Sequence, residues 1–209
     1  AIQTAAQNNN ASAPTITAKT YEGAGVTGVT DANVEALNSA LNSDAVTGEQ
    51  VSTREQLQAI VEAYNNILAE AASPTEVDPT LVDFILVGVT NVTTGPQLQL
   101  LNDALHGKSG LYLSSVANLQ RMADGAQAVQ DGTATVEQLQ ALGVSGANAQ
   151  NLTSIRAALK DSSGVSDIST LQNMVNNAND APVLAAALGD QYATANNAFS
   201  YSVPTNSFT

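Results

Sequence analysis

Three stretches of the chain repeat one spacing of apolar and polar positions. They are "GVTGVTDANVEALNSAL" from Gly25, "GVTNVTTGPQLQLLNDAL" from Gly88 and "GVSGANAQNLTSIRAAL" from Gly143. Each opens on Gly-Val-Thr or Gly-Val-Ser and then places apolar residues three and four apart: Val34, Leu37 and Leu41; Leu98, Leu101 and Leu105; Leu152, Ile155 and Leu159. That spacing marks one face of an α-helix. A second element follows in each copy: "VSTREQLQAIVEA" from Val51, "LSSVANLQRMADG" from Leu113 and "VSDISTLQNMVNN" from Val165. It carries a Leu-Gln pair at 57–58, 119–120 and 171–172, with Ser52, Ser114 or Ser166 five residues before the leucine. These serines are N-cap candidates, and Ser52 with Glu55 has capping-box spacing.

Each unit therefore reads as helix, loop, helix, with corresponding positions 52 to 64 residues apart. "PTEVDPTLVDFILVG" and "TATVEQLQALG" add a short helix before the second and third units. A helix hairpin cannot bury its apolar stripe alone, so the units must pack on one another. The expected fold is mainly α, with helical-hairpin repeats packed as a compact bundle and a short C-terminal β segment. The expected core is Val34, Leu37, Leu41, Leu57, Ile60, Leu98, Leu101, Leu105, Leu119, Met122, Leu152, Ile155, Leu159, Leu171 and Met174. Three regions follow: an extended segment over 1–19, the helical repeat domain over 20–178, and the start of a β domain over 179–209.

Charge narrows the partners. Lys and Arg number 6 against 19 Asp and Glu, a net charge of −13. Six scattered cations cannot form the basic stripe that nucleic acid or an anionic membrane requires. No run of 18 apolar residues predicts a membrane span, and "AIQTAAQNNNASAP" lacks the charged and apolar regions of a signal peptide. Absence of cysteine removes disulfides, thiolate metal sites and a thiol nucleophile.

The chemistry-bearing residues are few. His106 is the one histidine, placed where a helix ends before Gly107, a position the helix dipole favours. One histidine and no cysteine give no basis for a Ser-His-Asp, Cys-His or His-ligated zinc site. The nearest carboxylate pairs, Glu49 with Glu55, Asp78 with Asp83 and Asp161 with Asp167, read as solvated acids. With three Phe, five Tyr and no Trp, the aromatic platforms of a sugar cleft are scarce. The expectation is a non-enzymatic chain. "DSSG" at 161–164 has only part of a calcium loop. Sequons stand at Asn10, Asn91 and Asn151.

The end of the chain departs from the helical pattern. Asn179-Asp180-Ala181-Pro182-Val183, then Asp190-Gln191, then Ala198-Phe199-Ser200-Tyr201-Ser202-Val203-Pro204 resemble the opening of dystroglycan-type cadherin-like and Ig-like domains of large bacterial surface proteins. About 30 of the 209 residues carry this likeness. It implies calcium at a domain junction, with Asn179 and Asp180 as candidate ligands. Ala195, Asn196 and Asn197 stand where that family places a further acidic residue. The helical units in turn resemble the Gly-Val-Thr repeats of giant secreted, adhesin-like bacterial proteins.

The resemblance implies a structural or adhesive module, extracellular or at the bacterial cell surface. It would space or present neighbouring domains of the same protein and meet a cell-surface protein or glycan. The alternatives are a glycan- or peptide-binding domain in which Tyr21, Tyr64 or Tyr112 converge with amide side chains, and a self-assembling subunit of a surface layer or filament.

Overall fold

The computed structural model describes residues 1–11, 16–73, 78–179, 192, 195 and 198–205. Helix α1 (Ile2–Gln7) leads into three units. Unit 1 holds α2 (Ala18–Gly23), α3 (Val34–Leu41) and α4 (Arg54–Ala72). Unit 2 holds α5 (Leu81–Leu86), α6 (Pro96–Leu105), α7 (Gly110–Leu113) and α8 (Val116–Gln130). Unit 3 holds α9 (Val136–Leu142), α10 (Leu152–Asp161) and α11 (Ile168–Asn179). The short helix expected before units 2 and 3 thus also precedes unit 1. Each unit has a short helix, a middle helix and a final helix.

The short helices start alike. Thr17, Thr80 and Thr135 each precede one, and the side chain three residues on takes back the threonine N–H: Thr20 Oγ1 at 3.1 Å, Asp83 Oδ2 at 2.7 Å and Gln138 Oε1 at 2.9 Å. This satisfies an N–H that lies outside the helical ladder. They also end alike. Val26, Val89 and Val144 N–H reach back to the carbonyls of Tyr21, Phe84 and Leu139 at 3.1, 2.9 and 3.0 Å. Such a six-to-one bond needs a residue of positive φ just before the valine. Gly25, Gly88 and Gly143 supply it, at φ 76°, 95° and 98°. The Gly-Val-Thr signature is therefore the exit of the short helix, which the sequence pattern marks before units 2 and 3 and leaves unmarked before unit 1.

Three residues further on a second positive φ turns the chain into the middle helix, at Gly28 (84°), Asn91 (59°) and Gly146 (84°). An amide side chain closes each turn. Asn33, Gln97 and Asn151 donate to the carbonyls of Gly28, Asn91 and Gly146 at 2.7–2.9 Å. They accept from the N–H of Thr30, Thr93 and Asn148.

The final helices start one residue later than the serines suggest. Thr53, in extended backbone, caps α4: its Oγ1 accepts from Gln56 N–H at 3.2 Å, and Gln56 Oε1 accepts from Thr53 N–H at 3.0 Å. The capping box is Thr53/Gln56, and Ser52 instead donates to Gln56 Oε1. The corresponding residues are Ser115 and Asp167, and Asp167 Oδ1 accepts from Thr170 N–H at 2.7 Å.

Packing is serial. The final helix of one unit lies against the short and middle helices of the next: α4 on α5 and α6, α8 on α9 and α10. It also lies against the middle helix of the unit before, α8 on α3 and α11 on α6. The result is a compact, mainly helical bundle with one continuous core. Leu37, Leu41, Leu57, Ile60, Leu101, Leu105, Leu119, Met122, Ile155, Leu159 and Leu171 are buried as expected. Val34, Leu98, Leu152 and Met174 are partly buried against them. Within 1–19, expected to be extended, α1 buries Ile2, Ala5 and Ala6.

The expected C-terminal β segment is not seen. Residues 198–205 have no regular structure and are exposed, and no strand occurs among the described residues. A strand needs a hydrogen-bonding neighbour, and none stands among the described residues. Residues 180–191, with the Asp-Gln pair, lie outside the described residues.

Candidate functional site

The Leu-Gln pair divides into a core residue and a clamp. Leu57, Leu119 and Leu171 are buried, while the next residue holds the Gly-Val-Thr turn of its own unit. Gln58 Oε1 accepts from Thr27 N–H at 2.9 Å, and its Nε2 donates to Thr27 O at 3.2 Å. Gln120 does the same to Thr90 at 2.8 and 3.0 Å, and Gln172 to Ser145 at 2.9 and 3.0 Å. A primary amide presents one donor and one acceptor side by side, so it pairs with a backbone residue as a strand would. Each Nε2 also reaches the residue one turn on, Glu62, Asp124 or Asn176. Sequence shows the glutamine and the turn as separate signals, and their separation varies from 31 to 30 to 27 residues, so spacing alone does not join them.

The middle helices clamp their units in a second way. Asn38 Nδ2, Asn102 Nδ2 and Arg156 Nε donate to the carbonyls of Ile16, Pro79 and Ala134, the residues just before the three capping threonines. In unit 1 the free Oδ1 of Asn38 accepts from Tyr21 OH at 2.9 Å. In unit 2 Phe84 stands where Tyr21 does, and Asn102 Oδ1 is buried with no partner.

Grooves run along both junctions. Between units 1 and 2 lies one of about 530 Å3, walled by Ser39, Asn42, Ser43 and Asp44 on one side and Val116, Gln120 and Asp124 on the other. Its counterpart between units 2 and 3 is about 410 Å3, walled by Asp103, His106, Gly107, Lys108, Gly143 and Ile168. Corresponding positions line the two: Ser39 with Asp103, Asn42 with His106, Gly88 with Gly143, Val116 with Ile168. At the floor of each, the final helix of the later unit is capped by the earlier one. Val116 N–H donates to Ser39 Oγ at 2.9 Å, and Ile168 N–H to Asp103 Oδ2 at 2.6 Å.

His106 sits in the second groove with both ring nitrogens toward carboxylates. Nε2 is 2.5 Å from Glu70 Oε1, and Nδ1 is 3.4 Å from Asp103 Oδ1. The Glu70 side chain is 1% exposed, and its Oε2 has no partner. The same helical position is Asn42 in unit 1 and Lys160 in unit 3. Asn42 holds both backbone groups of Ala11, at 2.6 and 2.8 Å. Lys160 packs its stem over Gly132. All three tie a middle helix to chain just before their unit, so His106 occupies a structural position in the repeat. Lys108 reaches across this junction: its Nζ donates to Ala141 O at 2.8 Å, lies over the Tyr112 ring, and is pushed below the usual lysine range by burial.

The expected chemistry-bearing residues do not converge. Tyr21 and Tyr64 are fully buried, and burial pushes both hydroxyls above the ordinary tyrosine range. Tyr64 donates to Leu113 O at 2.8 Å. Asp83 and Asp167 cap helices, while Glu49, Glu55, Asp78 and Asp161 are exposed. Asn151 of the third sequon is buried within its turn. Among the described residues no three His, Asp or Glu side chains are grouped to hold a metal. Asn179 ends α11, with its side chain outside the described residues, as is Asp180. No described helix is long and apolar enough to cross a membrane.

Comparison with known protein families, with characterised proteins and with solved structures finds no match to this chain.

Proposed function

We propose that this chain is a rigid helical spacer from a large bacterial cell-surface or secreted protein, non-enzymatic, with neighbouring domains of that protein as its first partners. The observation that carries the reading is the use made of its polar side chains. The glutamine, asparagine and capping residues that recur in every unit are spent on backbone groups of turns and junctions. A module whose polar side chains hold its own chain in shape is suited to keeping neighbours at a set distance. Its low charge and net acidity suit an extracellular setting.

Phe199, Tyr201 and Val203, exposed and at alternate positions, support a second element of the same reading. They have the period of one strand face, and would be covered in an adjoining β domain of the cadherin-like type. Calcium, with Asn179 and Asp180 among its ligands, would stiffen that junction.

Spin labels test the spacer. The chain has no cysteine, so Glu22→Cys with Ser169→Cys gives one defined pair. A rigid spacer gives a narrow distance distribution; a broad one rejects the reading. Thermal unfolding in excess calcium and in EDTA tests the junction. A ligand at a hundredfold excess over its dissociation constant adds about 2.7 kcal/mol to stability. Equal melting temperatures would remove calcium from the proposal and leave the helical spacer standing.

A further inference from the structure

The three units give an internal comparison of what each junction requires. In units 1 and 2 the middle helix offers the next unit a buried small or apolar residue, Ala36 or Leu100, and an acceptor, Ser39 or Asp103. The next unit brings Val116 or Ile168 to that place, as the first residue of its final helix. Both outer faces of the bundle break the pattern. On unit 3 the equivalents of Leu100 and Asp103 are Ser154 and Ala157, both exposed, and the alanine methyl cannot accept a hydrogen bond. On unit 1 the equivalent of Val116 and Ile168 is Arg54, whose side chain is 55% exposed, donates to Gly25 O within its own unit and shares a cleft with Ala1, Ile2 and Gln3 at the start of α1.

We propose that these two faces are end caps, closing the stack at three units against addition of a further unit from a second copy of the chain. Stacked units bury apolar faces against their neighbours, and a stack stays soluble only if its terminal faces are polar. A head-to-tail contact between copies would repeat without closing and give a filament. Here it would set Arg54 and the neighbouring α1 against Ser154 and leave the first N–H of the incoming helix without its acceptor. The proposal goes beyond the spacer reading, because it sets the bundle apart from a filament subunit.

The test is sedimentation of the full chain over a wide concentration range. A second protein carries Arg54→Ile, Ser154→Leu and Ala157→Asp, which copies the junction made by Ile168, Leu100 and Asp103. All three positions are exposed, and far-UV circular dichroism with a melting curve checks the fold. The expected result is a monomer at every concentration for the natural sequence and concentration-dependent head-to-tail association for the triple variant. Association of the natural sequence would overturn the proposal. So would a folded triple variant that stays monomeric, because these positions would not then be what closes the faces. If the triple variant does not fold, Glu55→Cys with Asp161→Cys in the natural background decides. Intermolecular 55–161 disulfides formed in clear preference to 55–55 and 161–161 would refute the caps, and unselective pairing or none under oxidation at high concentration would uphold them.

Discussion

Tyr21→Phe and Phe84→Tyr probe one hydrogen bond in opposite directions. In unit 1 the Tyr21 hydroxyl, fully buried, donates at 2.9 Å to Asn38 Oδ1, whose Nδ2 is spent on Ile16 O. Removing the hydroxyl leaves a buried carbonyl with no donor, which costs about 1–3 kcal/mol. In a chain of this size each kcal/mol moves the melting temperature by roughly 2–4 °C, so Tyr21→Phe should melt some 2–12 °C lower. Unit 2 already has the defect: Asn102 Oδ1 is buried and unpartnered beside a helix that carries Phe84. Phe84→Tyr should supply the donor and raise stability by about 1 kcal/mol. Alkaline titration gives an independent reading. A buried tyrosine stays protonated above the ordinary value of 10.0, while the unfolded chain ionises there. Its contribution is intact below about pH 10 and is lost as pH rises toward the folded value. Tyr64 should then remain the one late-ionising tyrosine of this pair in Tyr21→Phe. Equal melting temperatures for Tyr21→Phe and the natural chain would refute the assignment of energy to this bond. Destabilisation by Phe84→Tyr would refute the equivalence of the two positions.

Two further substitutions address the turns. Gln120→Leu keeps the helix but strips the N–H and carbonyl of Thr90 of their partner; a loss of about 1–2 kcal/mol is expected by urea unfolding, with an unchanged slope. Asn91 is a non-glycine residue at φ 59°, where units 1 and 3 have Gly28 and Gly146. Asn91→Gly should be neutral to stabilising, while Asn91→Val should lose at least 1–2 kcal/mol, roughly the cost of a β-branched residue there; the same melts measure both.

The repeat was legible because its apolar stripe keeps one internal spacing and the Gly-Val-Thr exit and the Leu-Gln pair recur in the same order around it. Leu37, Leu101 and Ile155 could be placed in the core from spacing alone. The clamps were not legible, since one role is filled by different residues. Ser39 and Asp103 both cap the next unit's helix, and Asn38, Asn102 and Arg156 all hold the same turn. Nothing in their side-chain type aligns them until the backbone does. The serine caps were misplaced by one residue because Ser52-Thr53 offers two hydroxyls, and only backbone conformation decides between them. Glu70 gave no signal: an acid in a long helix normally faces water, and its burial follows from the helix it meets.

His106 can be argued the same way. Were it kept for chemistry, its place in the repeat would be incidental; were it a tie, the pair with Glu70 should be replaceable as a pair. His106→Leu alone leaves the buried carboxylate with neither oxygen bonded, since Oε2 has no partner already, and should cost about 1–3 kcal/mol or more. Glu70→Met with His106→Leu removes the buried carboxyl group together with its partner and fills the space with apolar atoms. Exchanges of this kind for buried charge pairs are often neutral or stabilising by about 1–4 kcal/mol. The double variant should therefore melt at or above the natural chain and well above His106→Leu. A double variant no more stable than His106→Leu would mean that the imidazole holds this junction through something other than Glu70. In that case the groove lined by Asp103, His106 and Lys108 becomes the place to search for a ligand.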